Sequence, residues 1–197
     1  MAGGRGSACG TLETPSGDSR SDEALIALIN QGDSAAFEVL YYRHRDWVAN
    51  LAFRFTRDRD LALDVLQETF LYVLGKFPGF SLTCQFRSFL YPAVRNLSIA
   101  ARRKAERLQS GDADALEQIV APLPCDEGDS DRAQLSIVLT GLPEAQREVM
   151  LLRFVDGLSL DEIAAALGVP TGTVKSRLHN ALATLREDKR TKSFFLE

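Results

Sequence analysis

Apolar residues in this chain recur three and four positions apart through most of its length, and no stretch alternates at the two-residue period of a strand. The first such segment follows Ser21, a fitting N-cap. Leu25, Ile26, Leu28 and Ile29 supply its apolar surface, and Gly32 stands where a left-handed residue would end a helix. Asp33 or Ser34 can cap a second helix with the stripe Phe37, Leu40, Tyr41, His44, Trp47, Val48, Leu51 and Phe55. His44 lies on that stripe with no second metal-type ligand beside it and reads as a packed imidazole. A third helix is expected over about Arg59 to Lys76, with Leu61, Val65, Leu66, Thr69, Phe70, Val73 and Leu74 at helical spacing. Gly75, Pro78 and Gly79 open a loop through about Cys84, and a fourth helix runs from about Gln85 to Arg107. Pro92 inside that helix would remove a hydrogen bond at a cost of ~3 kcal/mol, which predicts a late start or a kink.

Residues 108–133 hold Gly111, Pro122, Pro124 and Gly128 among acidic side chains and read as a linker. A second helical segment is expected from about Ala133. In it, Pro143 suits the first turn of a helix that ends before Gly157. Ser159 and Glu162 have capping-box spacing and open a short helix to Leu167. A turn at Gly168, Val169 and Pro170 follows, and Thr171 can cap a last helix with Val174, Leu178, Ala181, Leu182 and Leu185 inward. Residues 1–21 are rich in Gly, Ser and Thr, cannot repay the entropy of ordering and read as a flexible tail. Residues 191–197, with apolar Phe194 and Phe195, form a C-terminal tail. The expectation is an all-α chain: two small helical domains, residues 22–107 and 134–190, joined by a flexible acidic linker.

Composition changes this picture little until it is read along the chain. The 197 residues carry a formal net charge of −4, which argues against nucleic-acid binding by itself. The charge is sorted, however. Residues 81–110 hold Arg87, Arg95, Arg102, Arg103, Lys104 and Arg107 against Glu106 alone; the linker is strongly acidic, and residues 170–192 are basic again. Cys9, Cys84 and Cys125 are far apart and odd in number, which fits a reducing compartment better than a disulfide scaffold or a zinc site. The longest apolar runs fall short of the ~18 residues that span a bilayer, and no signal-peptide core is visible, so a cytoplasmic protein is expected. No nucleophile triad, carboxylate pair, phosphate loop or metal-ligand cluster stands out; no enzyme, cofactor or metal is predicted.

The segment LSLDEIAAALGVPTGTVKSRLHNALATLR combines a capped short helix, a glycine turn and an amphipathic second helix, the pattern of a helix-turn-helix. Away from its apolar stripe the last helix carries Thr173, Lys175, Ser176, Arg177, His179 and Asn180. These side chains suit a major groove: Lys175 and Arg177 for phosphate or guanine, Asn180 for adenine. An ordinary αα-hairpin with a solvated polar face would share the periodicity but not the coincidence of cap, turn and basic helix.

Leu142-Pro143, Arg147, Leu152-Arg153, Gly157-Leu158-Ser159, Glu162-Ile163-Ala164, Leu167-Gly168 and Gly172 through Leu178 resemble the C-terminal promoter-reading domain of bacterial sigma factors. That portion alone also resembles a response-regulator output domain, so the first half decides. There Asp64-Val65-Leu66-Gln67-Glu68-Thr69-Phe70 resembles the core-polymerase-binding helix. Phe86-Arg87-Ser88-Phe89-Leu90 with Arg95-Asn96-Leu97 resembles the helix that melts and reads the −10 element. The combined match is to the extracytoplasmic-function group of the sigma-70 family.

The resemblance implies a set of roles. Asp64, Gln67, Glu68 and Leu71 would dock on a coiled coil of the polymerase's largest subunit. Phe80 and Asn96 would cradle a base flipped from the non-template strand, with Arg87, Arg95, Arg102 and Arg103 on its backbone. Thr171, Thr173, Lys175, Ser176, Arg177, His179 and Asn180 would meet the duplex −35 element. The implied partners are core RNA polymerase, promoter DNA and an inhibitory anti-sigma protein, and the function is that of an alternative sigma factor. Phe89 stands where the family usually has Trp, and Asn180 where Arg is frequent. A stand-alone helix-turn-helix regulator, binding duplex without polymerase, is the rival reading.

Overall fold

The computed structural model describes residues 18–110 and 139–187. The expected linker, the start of the second segment near Ala133, Cys9, Cys125 and the C-terminal Phe194 and Phe195 lie outside the described residues.

Every element described is an α-helix: α1 (Asp22–Asn30), α2 (Ser34–Thr56), α3 (Arg59–Leu74), α4 (Phe86–Ser110), α5 (Glu144–Phe154), α6 (Leu160–Leu167) and α7 (Thr171–Glu187). Short polar side chains start them. The Ser21 hydroxyl accepts from the Ala24 N–H, Asp33 from Ala35 and Ala36, and Asp58 from Asp60 and Leu61. The capping box on α6 is complete: the Ser159 N–H donates to the Glu162 carboxylate at 2.6 Å, and the Glu162 N–H to the Ser159 hydroxyl at 3.3 Å.

Four local expectations change. Pro92 neither delays nor restarts α4, which runs through it from Phe86; the ring sits on an exposed face of the helix. The Pro170 carbonyl accepts from the Val174 N–H at 3.3 Å, so Pro170 rather than Thr171 takes the cap position of α7. The Thr171 hydroxyl instead donates to Asp161 at 3.0 Å. Pro143 likewise stands just before α5, with its carbonyl accepting from Arg147. Asp18, expected in the tail, is held against α2, where Arg43 donates to its carbonyl at 3.0 Å.

Helices α1–α4 enclose a core of Leu25, Leu40, Val48, Leu51, Val65, Val73, Phe86, Leu90 and Val94, all essentially inaccessible. His44 is buried there too, its ring 4.9 Å from that of Phe86. Its Nε2 meets Asp22 at 2.8 Å, which ties the start of α1 to α2 together with Arg43 at 2.7 Å from the same carboxylate. Helices α5–α7 form the second unit. Gly168, at φ +64°, supplies the left-handed residue between α6 and α7 that a side chain would strain. Arg147 donates to the carbonyls of Leu139, Thr140 and Leu142 and staples the turn before α5. Arg153 donates to the Leu158 carbonyl at 2.9 Å.

The two units are docked. Val149, Leu152, Leu158, Ile163 and Val174 belong to the same apolar cluster as the N-terminal core, with α6 packed on α4.

Candidate nucleic-acid and polymerase interface

Three surfaces carry the residues singled out in the sequence. The first is on α3, where Asp64, Gln67, Glu68 and Leu71 are all exposed and, at ~100° per residue, share one face. Leu71 is 66% exposed, and Leu63 and Leu74, which the sequence reading missed or placed inward, are 51% and 47% exposed beside it. A helix side that shows three leucines and two carboxylates to solvent is unfinished unless something covers it.

The second surface is the polar side of α7. Lys175, Ser176, His179 and Asn180 are exposed, Thr173 and Arg177 half-buried at its margins, and Val174, Ala181 and Leu185 buried behind. The Ser176 hydroxyl donates to the Gly172 carbonyl at 3.0 Å, and a side chain at Gly172 would meet nothing within 4 Å, so the first turn is open to a ligand. Thr171 sits at the edge, turned toward Asp161.

The third surface is the loop before α4 and α4 itself, and here the predicted set divides. Phe80 is half-buried in an aromatic run: its centroid lies 5.4 Å from Phe77 and 4.8 Å from Phe89, and Phe89 stacks at 6.2 Å on Tyr72 of α3. The loop is pinned from α1 by Asn30, whose amide donates to the Phe80 carbonyl at 2.7 Å and accepts from the N–H groups of Gly79 and Phe80. Phe89, Asn96 and Arg103 follow about two turns apart on one side of α4, with Asn96 and Arg103 exposed. Asn96 and Arg103 thus share a side of α4 with Phe89, the residue against which Phe80 packs.

Arg87 and Arg95 do not. With Tyr91 and Arg102 they lie on another side of α4, and the first three are engaged by the C-terminal unit. Arg87 donates to the Asp156 carbonyl at 3.2 Å, Tyr91 donates its hydroxyl to Glu148, and Arg95 pairs with Glu148 at 3.4 Å. The Asp156 carboxylate accepts from Trp47 Nε1 at 2.9 Å and from Arg54 at 2.6 Å, the latter a pair buried at both ends. Burial, reinforced by the Glu148 carboxylate, pushes the Tyr91 phenol far above its ordinary range, so it stays a donor. Arg102 pairs with Glu106 at 2.9 Å. The roles of Trp47, Arg54, Glu148 and Asp156 carry no signal in the sequence, because each meets its partner only across the two helical units.

Among the described residues no group of three His, Cys, Asp or Glu side chains could hold a metal, and no helix is long and apolar enough to cross a membrane. Cys84 is a half-buried free thiol.

The pair α6 and α7 with its glycine turn has the helix-turn-helix arrangement found in DNA-binding transcription factors, and comparison with known proteins gives the family. Residues 40–108 match the family model of sigma-70 region 2, and residues 133–185 that of sigma-70 region 4. The chain is 31% identical over 175 residues to the ECF RNA polymerase sigma-E factor of Escherichia coli strain K12, covering 82% of this chain and 90% of that protein. It is 32% identical over 172 residues to the RNA polymerase sigma-H factor of Pseudomonas aeruginosa, covering 81% and 89%. Among solved structures it is similar to CnrH in complex with the cytosolic domain of CnrY, with TM-score 0.60, 27% identity and coverage of 83% and 93%. It is also similar to the sigma factor RpoE bound to the anti-sigma factor NepR from Bartonella quintana, with TM-score 0.56, 25% identity and coverage of 77% and 94%. The chain belongs to the extracytoplasmic-function group of the sigma-70 family and is an alternative sigma factor.

Proposed function

We propose that the chain binds core RNA polymerase through α3 and directs it to promoters by reading two DNA elements, a duplex −35 element with α7 and a melted −10 element with the loop and α4. The observation that carries this reading is the unfinished face of α3. Leu71, Leu63 and Leu74 beside Asp64, Gln67 and Glu68 make a surface that a regulator acting alone on duplex DNA has no use for.

The division of labour follows from chemistry. On α7, Lys175 and Arg177 supply charge for phosphate or guanine, while Ser176, His179 and Asn180 supply hydrogen bonds to base edges. Thr171 and Thr173 flank them at the helix start. On the other unit, an extruded base needs an aromatic surface and an amide; Phe80, packed on Phe89, and the exposed Asn96 of α4 offer that chemistry, with Arg103 further along for the backbone. Binding and positioning account for the whole activity, so no catalytic residue is assigned. An anti-sigma protein is the expected inhibitory partner, since both structural relatives were solved with one or with a cytosolic domain of a second protein.

The test adds the purified chain to core polymerase and maps transcript starts on a library of random upstream sequences. Starts that share a −10/−35 pair absent with core alone support the reading. Tight binding to duplex DNA with no binding to core would replace it with the stand-alone regulator.

A further inference from the structure

Tyr72 of α3 stands apart from the leucines of that helix. At ~100° per residue it lies roughly half a turn round from Leu63 and Leu74, on the edge that meets Phe89 of α4. It is 44% exposed, whereas Val73 beside it is fully buried, so the core closes without most of its ring. We propose that Tyr72, with Lys76 just past the end of α3, is a further contact for single-stranded DNA: a base neighbouring the one taken by Phe80 stacks on the Tyr72 ring, and the Lys76 ammonium holds the adjoining phosphate. The inference rests on the reading that Phe80 takes an extruded base.

Phe89 is the common neighbour of two rings. Phe80 lies 4.8 Å from it on the loop, and Tyr72 lies 6.2 Å from it on α3 with the planes only 19° apart. The aromatic row thus runs from the loop across α4 to α3, and its most exposed member is Tyr72; Phe80 and Phe89 are half-buried. The cation is already in place: Lys76 Nζ lies 4.5 Å from the Tyr72 ring centroid. An exposed cation–π pair is weak, so a base can take the ring while a phosphate takes the ammonium. Stacking accepts every base, because each has a π-face, and Tyr72 therefore adds affinity without selecting sequence. The competing role is a lid over Phe89, which a leucine would fill as well as a tyrosine does.

The test uses the full chain bound to core polymerase, with core alone as the control. The probe is a fluorescein-labelled pool of random single strands of about 20 nucleotides, with 5-iodouracil in place of thymine. Irradiation should crosslink the strand to Tyr72 in the unaltered chain, as read by mass spectrometry of its peptides. Tyr72→Leu should weaken binding of the pool about ten-fold, and Tyr72→Trp should restore it. Lys76→Ala should lower the salt slope of binding by about 0.7. The urea midpoint of the free Tyr72→Leu chain should match that of the unaltered chain, which separates stacking from a lid.

A bound strand that never crosslinks to Tyr72 overturns the proposal, and so does a Tyr72→Leu chain that binds as tightly as the unaltered one. Should Tyr72→Leu fail to fold, the crosslink in the unaltered chain and the salt slope of Lys76→Ala carry the test, and a slope left unchanged removes the phosphate contact. Phe80→Ala separates the two readings. Binding weakened by Phe80→Ala but not by Tyr72→Leu leaves Phe80 its base and removes Tyr72 alone. Binding weakened by neither removes the aromatic row from the DNA reading altogether.

Discussion

The side-chain amide of Asn30 hydrogen-bonds both the N–H and the carbonyl of Phe80, at 3.0 and 2.7 Å, so one side chain at the end of α1 fixes the peptide that presents the ring. Its oxygen also takes the Gly79 N–H at 2.7 Å. Asn30→Ala leaves these loop groups to water and should cost about 1–2 kcal/mol in urea denaturation. Asn30→Asp keeps the acceptor and loses the donor. It should cost less stability, yet weaken recognition of a melted −10 strand if the orientation of Phe80 matters there.

Acid should loosen the attachment of α1. Burial raises the Asp22 carboxyl pKa, but the hydrogen bond from His44 and the Arg43 charge outweigh it, and the net shift is downward. A carboxylate lowered in the folded state contributes stability above its unfolded pKa of about 4 and loses that contribution as pH falls through the folded value. Asp22→Asn should therefore be less stable than the unaltered chain near neutrality, and its stability should fall less steeply below about pH 4. Thermal melts across that range, followed by circular dichroism, would show parallel curves if the assignment is wrong.

On α3 the expected signature is lost binding without lost folding. Leu71 is 66% exposed, so Leu71→Ser should change unfolding free energy by no more than about 0.5 kcal/mol. The same substitution should weaken association with core polymerase by about 1–2 kcal/mol, measured by competition with another sigma factor. A variant that transcribes and competes normally would free this face for another partner.

For α7 the salt dependence separates roles. Lys175→Ala should weaken −35 duplex binding and, if its contact is to phosphate, lower the salt slope by about 1. Arg177→Ala should cost about 1–3 kcal/mol and relax preference at one base pair if it reads guanine. Equal affinity for scrambled and cognate duplex in the unaltered chain would remove base readout from this helix.

How much of this was legible beforehand depends on the range of each contact. The helices, the capping box at Ser159 and Glu162 and the glycine turn at Gly168 are written in neighbouring residues, and the structure has all of them. Thr171 departs from the expectation because a hydroxyl before a helix usually caps it, whereas Asp161 claims this one. A charge count along the chain grouped Arg87, Arg95 and Arg103 together, since a count carries no angle; the helix turns the first two toward Glu148 and Asp156 and the third to solvent. Asn30 and Asp156 were invisible for a different reason. Each acts on residues that only the finished fold brings near.

The length of α4 sets a scale that its separate contacts do not. From Phe89 to Arg107 the open side extends ~27 Å at ~1.5 Å per residue. Along the axis of a duplex each strand rises ~3.4 Å per phosphate, so this ridge is as long as about eight base pairs of duplex. An aromatic end at Phe89 and a cationic end at Arg107 give the ridge a polarity: a strand lying along it meets stacking surface first and charge last. Shortening the helix by one turn would move the cationic end ~5.4 Å closer to the aromatic one, so the distance between the two is set by the length of α4 alone.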